Sequence, residues 1–67
     1  MDIGKSIRLA LAEINQRQTW LADQMGVSRA YVNRMANGTT VPGGKTIEAI
    51  ADIFGMSVSE FVALGEK

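Results

Sequence analysis

A chain of 67 residues has room for one domain, residues 1–67, and a domain of that size buries only roughly 60% of its unfolded surface. It contains no cysteine and no histidine, which removes disulfides, thiolate metal sites, the commonest neutral metal ligand and the commonest general base. Seven basic residues balance seven acidic ones, and the resulting net charge of zero counts against a nucleic-acid binder, whose affinity rests on Lys and Arg at phosphates.

Five helices are expected and no strands, because sustained two-residue alternation is absent. The first runs from about Asp2 to Ile14, with Ile3, Ile7, Ala10, Leu11 and Ile14 forming one apolar stripe, and Asn15 is a plausible stop. The second runs from about Gln18 to Met25, with Leu21, Ala22 and Met25 facing inward and Gly26 suited to a left-handed turn. The third opens at Ser28, an N-cap, with Val27 and Val32 spaced as a hydrophobic staple. Val32, Met35 and Ala36 then point one way, and Arg29, Ala30, Asn33 and Arg34 largely the other, until Asn37-Gly38 ends the helix.

Thr39 to Gly44 reads as a loop, with Pro42-Gly43-Gly44 as breakers. The fourth helix spans about Lys45 or Thr46 to Phe54 and buries Ile47, Ile50, Ala51 and Phe54. The fifth opens at Ser57 with Glu60 three residues on, the pattern of a capping box, flanked by Met56 and Phe61 as a second staple. Val58, Phe61, Val62 and Leu64 make its inner face.

The zero net charge is a sum of two unlike parts. No acid lies between Asp23 and Glu48, where Arg29, Arg34 and Lys45 contribute +3; the remaining four basic and seven acidic residues contribute −3. The start, Met1-Asp2-Ile3-Gly4-Lys5, lacks a basic region followed by an apolar run, and no stretch approaches the ~20 apolar residues of a membrane span. A cytoplasmic protein is expected.

From Gln18 to Arg34 the residues suit two short helices crossing steeply over a tight turn: Ala22 is small, Gly26 allows positive φ, and Leu21, Val27, Val32 and Met35 close the angle. The segment Gln18-Thr19-Trp20-Leu21-Ala22-Asp23-Gln24-Met25-Gly26-Val27-Ser28 resembles the helix-turn-helix of the lambda-repressor/Cro-like family. So do Val32-Asn33-Arg34-Met35-Ala36-Asn37-Gly38, Pro42, and Ile47 through Val58, and Ile3-Gly4 and Ile7-Arg8 match at the start. Almost the whole chain is covered, and the joint spacing is far more specific than any one residue.

The resemblance implies an all-α, five-helix DNA-binding domain in which helices two and three form the helix-turn-helix. It also implies a regulator of transcription, Cro- or repressor-like, of phage or prophage kind, working at the nucleoid of a bacterial or phage-infected cell. Ser28, Arg29, Ala30 and Arg34 match base-reading positions: Arg29 or Arg34 suits a bidentate pair with guanine, Ala30 a thymine methyl. Gln18, Tyr31, Asn33, Asn37 and Lys45 match DNA-backbone positions, and Arg17, where a Ser, Thr or Asn cap is usual, suits a phosphate instead. The partner is a palindromic double-stranded operator, bound by a weak homodimer assembled on DNA through Val41, Pro42 and Val58. The chain looks like a Cro or small regulator if complete, and like the N-terminal domain of a longer repressor otherwise.

Two departures from the family pattern carry structural expectations. Leu11 and Ala36 replace a buried Arg–Glu pair of some relatives, and Gly43-Gly44 replaces Ser-Leu, which predicts a looser loop before helix four. Trp20, one position before inward-facing Leu21, is expected to cover the end of helix one against Arg17 or Gln24, or else to meet a phosphate or partner.

Other functions are less supported. Taken alone, Arg29, Asn33 and Arg34 are also what a solvated helix face looks like, and Gln18 a plain surface glutamine. The carboxylates are spread over all faces, so neither an enzyme nor a metal site is expected, and no cofactor, membrane or small-molecule ligand is implied. The rival from another class is an antitoxin-like module that masks a second protein and binds DNA only to regulate itself.

Overall fold

The computed structural model describes all residues, Met1–Lys67, as five helices and no strand: α1 Ile3–Glu13, α2 Gln18–Met25, α3 Arg29–Ala36, α4 Gly44–Ile53 and α5 Val58–Leu64. Helix α1 packs against α3 and α5, α2 crosses α3, and α4 touches both α2 and α5. One core joins Ile3, Ile7, Ala10 and Leu11 of α1 to Leu21 and Ala22, to Val32, Met35 and Ala36, to Ile47, Ile50 and Ala51, and to Phe61 and Leu64. Fully burying a large apolar side chain of this kind stabilises a fold by about 1.5–3 kcal/mol, so the apolar stripes hold the domain together without disulfide or metal.

Local chemistry sets most helix ends. Asp2 caps α1 by accepting from the Lys5 amide at 3.0 Å. Asn15 follows with φ 53°, the left-handed conformation expected of it. At α5 the capping box forms in full: the Glu60 amide donates to Ser57 Oγ at 3.1 Å and the Ser57 amide donates to Glu60 Oε1 at 2.9 Å. Those bonds favour the charged form of Glu60 and hold its carboxyl below the usual carboxylate range, the backbone bond from Ser57 contributing most.

Backbone approach fixes how α1 meets α3. A Cβ on Gly4 would lie 2.7 Å from the Ala36 carbonyl oxygen and 2.9 Å from that of Met35, so the first turn of α1 presses on the carbonyl end of α3. One turn later Arg8 donates from its guanidinium to the Ala36 carbonyl, setting a cation at the negative end of the helix dipole. Leu11 and Ala36 are both buried, as their apolar character predicts.

The structure corrects four expectations of burial. Ile14 is 45% exposed, because α1 ends at Glu13 and the chain leaves the helical path before the stripe is complete. Val58 is 41% exposed: at the first position of α5 its side chain leans back past the helix end rather than onto a neighbour. Met25 and Phe54 are half-buried. Trp20 is itself half-buried, its ring centroid 6.0 Å from that of Phe54 at the end of α4, which in turn lies 6.2 Å from Phe61.

The loop before α4 is also shorter than expected. Gly44 already belongs to the helix, Gly43 caps it at φ −75°, and neither uses the conformational freedom of glycine. No helix is long and apolar enough to cross a membrane.

Candidate nucleic-acid interface

Helices α2 and α3 are joined by a turn whose geometry is local in origin. Gly26 adopts φ 69° and ψ 33°, and its amide donates back to the Ala22 and Asp23 carbonyls. A Cβ there would touch nothing within 4 Å, so glycine serves the backbone angle and not a close contact. Two residues on, Ser28 Oγ accepts from the Tyr31 amide at 3.1 Å and α3 begins. Arg17 caps α2 with extended backbone and no side-chain bond, as its departure from Ser, Thr or Asn predicts. The Trp20 amide donates to the Arg17 carbonyl at 3.0 Å, which leaves the Gln18 and Thr19 amides at the positive end of the helix dipole.

Burial divides α3 sharply. Val32, Met35 and Ala36 are sealed in the core, while Arg29, Ala30, Asn33 and Arg34 are exposed and Tyr31 is half-buried. Helical spacing stacks Arg29 on Asn33 and Ala30 on Arg34, so the outward residues form one continuous face. Ser28 is exposed too; with its oxygen already accepting from Tyr31, what it offers outward is its hydroxyl proton. The Arg34 guanidinium lies over the Tyr31 ring, 5.9 Å from its centroid.

A chain of side-chain hydrogen bonds links this face to α2 and to the loop after α3. Thr39 donates to Asn37 Oδ1 from its hydroxyl at 2.6 Å and from its amide at 3.0 Å. Asn37 Nδ2 donates to Asn33 Oδ1 at 3.4 Å, and Asn33 Nδ2 donates to Gln18 Oε1 at 3.2 Å. Gln18, Asn33 and Asn37, assigned separately along the sequence, are thus brought together. Tyr31 and Lys45 both line one open groove of about 540 Å³ between the α2–α3 turn and α4, whose wall also includes Asp52. Arg17 and Lys45 are exposed.

The three residues assigned to a dimer contact differ. Val41 is 75% exposed and Val58 is exposed, but Pro42 is buried within its own chain and offers no surface. Two contributors had gone unassigned. Thr39 anchors Asn37, and the Asn-Gly-Thr order of an Asx turn is the signal that could have found it. Arg8 steadies the end of α3 from 28 residues away, for which no local signal exists. No three carboxylates gather into a group able to hold a metal ion.

What this arrangement can do chemically follows from its inventory. Two guanidiniums, a hydroxyl proton and amide donors face outward from a short helix, in a stretch free of acids from Gln24 to Ile47. Donors and cations on a protruding helix suit an anionic polymer whose groove edges carry acceptors. Comparison with curated proteins and with solved structures returned no match. Comparison with family models matched helix-turn-helix over residues 5–61, from the first turn of α1 to the middle of α5. The chain therefore belongs to the helix-turn-helix family of the lambda-repressor/Cro-like type, whose members are DNA-binding regulators of transcription.

Proposed function

We propose that the protein is a sequence-specific regulator of the Cro or repressor kind, which binds a palindromic operator as a dimer with α3 in the major groove. The observation that carries the reading is the outward face of α3: Arg29, Ala30 and Arg34 exposed together behind the Ser28 cap, with no acid nearby in the sequence. Arg29 and Arg34 are the residues for guanine O6 and N7, and Ala30 for a thymine methyl. Gln18, Arg17, Tyr31, Asn37 and Lys45 surround that face and suit phosphates, which position the helix without reading sequence. By occupying its operator in the cytoplasm the protein would block or recruit polymerase.

Dimerisation belongs to the loop before α4 and the start of α5. Exposed Val41 and Val58 supply the apolar surface, while buried Pro42 supports the loop from behind. Two such small patches make a weak dimer, assembled on DNA with half-sites one helical turn, ~34 Å, apart. The antitoxin-like reading would use the half-buried Trp20 as a partner's anchor and the zero net charge as its second support; the packing of that ring against Phe54 favours a structural role for it instead.

Selection from a random duplex library at stated salt tests the proposal. An enriched palindrome with half-sites one turn apart is expected, and Arg29→Ala should then relax one base position by about 1–3 kcal/mol of discrimination. Flat, salt-sensitive binding without enrichment, or an Arg29→Ala variant with unchanged site preference, would overturn it.

A further inference from the structure

The geometry points to Asn33 as a positioning residue that acts through Gln18 rather than as a DNA contact itself; the inference rests on the proposed role of Gln18 at a phosphate. The hydrogen bonds from Thr39 through Asn37 and Asn33 to Gln18 all run the same way, each amide accepting from one neighbour and donating to the next. Such a head-to-tail chain polarises its members cooperatively. At one end it is tied to backbone, because the Thr39 amide donates to Asn37 Oδ1 at 3.0 Å. At the other it ends on Gln18 Oε1, 3.2 Å from Asn33 Nδ2.

The consequence lies in the planarity of the glutamine amide. With Oε1 held against Asn33, planarity turns the NH₂ group away from Asn33 and leaves it to donate elsewhere. A phosphate can only accept, so a glutamine presenting its NH₂ is ready to bind, whereas the flipped amide would present an oxygen and repel. Asn33 selects the productive face before DNA arrives. In doing so it commits its own Oδ1 and one of its N–H bonds within the protein. Asparagine suits this place because it both accepts from Asn37 and donates to Gln18. Aspartate accepts only and would draw the Gln18 NH₂ inward.

Duplex affinity at fixed salt is the measurement, taken with the full chain for Gln18→Ala, Asn33→Ala, the double variant of these two, Asn33→Asp, and Asn33→Asp combined with Gln18→Ala. Asn33→Ala should weaken binding about fivefold, the worth of one hydrogen bond, and Gln18→Ala about tenfold. The double variant should bind no worse than Gln18→Ala alone. In the free protein, ¹⁵N relaxation of the Gln18 side-chain amide should report a restricted group that becomes mobile in Asn33→Ala. Asn33→Asp should weaken binding far more when Gln18 is present than when residue 18 is alanine. Losses that multiply in the double variant, or a Gln18 amide equally mobile with and without Asn33, would overturn the assignment. Wild-type protein that binds no duplex would sink the proposed function and this role with it; the relaxation data, which need no DNA, tell that failure from the absence of the relay.

Discussion

The guanidinium of Arg34 rests over the ring of Tyr31, 5.9 Å from its centroid and about one turn away on the same helix. The ring face attracts the cation and narrows the arginine's rotamers, a contribution of about 0.5–1 kcal/mol at an exposed site. Arg34 is therefore partly ordered in the free protein, ready for the base contact proposed for it. Tyr31 also lines the groove it shares with Lys45, so its hydroxyl and its ring have separable jobs.

That separation makes a prediction. Tyr31→Phe keeps the ring under Arg34 and removes only the hydroxyl, so it should weaken binding to all duplexes alike and leave base preference intact. Tyr31→Ala releases Arg34 as well and should relax preference at the base that Arg34 reads. Side-by-side affinities on the selected site and on single-base variants check this. Equal loss of preference in both variants would mean that the ring does not order Arg34.

The approach of α1 to α3 predicts an inversion of the usual helix rule. Alanine in place of a helical glycine ordinarily stabilises by up to ~1 kcal/mol. At Gly4 the added Cβ would meet the backbone oxygens of Ala36 and Met35 at 2.7 and 2.9 Å, which cannot swing aside as a side chain can. Gly4→Ala should therefore cost about 1–3 kcal/mol, the penalty of overpacking. Gly44→Ala is the control, since a Cβ there meets nothing within 4 Å at the start of α4. Urea unfolding of both variants decides the matter; a Gly4→Ala protein as stable as wild type would mean that the helices can part at no cost.

The capping box at α5 makes stability depend on acid. Bonds from Ser57 hold the Glu60 carboxyl below the usual carboxylate range in the folded chain. A depressed folded-state value gives a stabilisation that is fully present above the unfolded value and is lost as pH falls through the folded one. Glu60→Gln retains a side chain that can complete the box but has no charge to lose. Wild type should be the more stable of the two at neutral pH, and their unfolding midpoints should converge as pH falls through the lowered folded-state value of Glu60. A gap independent of pH would show that charge plays no part in the cap.

The short-range features were open to reading because they rest on bonds between residues two to five positions apart. The Ser28 cap and the Ser57–Glu60 box follow from which side chain can reach a nearby amide, and the left-handed Gly26 that ends α2 follows from the lack of a Cβ. The inward set of Val32, Met35 and Ala36, and with it the outward set of Arg29, Ala30 and Arg34, likewise follows from the helical period. Periodicity says which side of a helix is apolar, but not which helix lies opposite or how far the contact extends. Ile14 and Val58 fall on apolar stripes and still face solvent, because the stripes outrun the packing at the helix ends. Trp20 meets Phe54, Asn33 meets Gln18 across 15 residues, and Arg8 reaches the end of α3 across 28, all through the crossing of helices that the chain order alone does not specify. The outward face of the proposed reading helix was thus a matter of local pattern. The preparation of its face, the held Gln18 amide and the anchored carbonyl end of α3, came from long-range packing, where a contact forms only once the core has set the angles between helices.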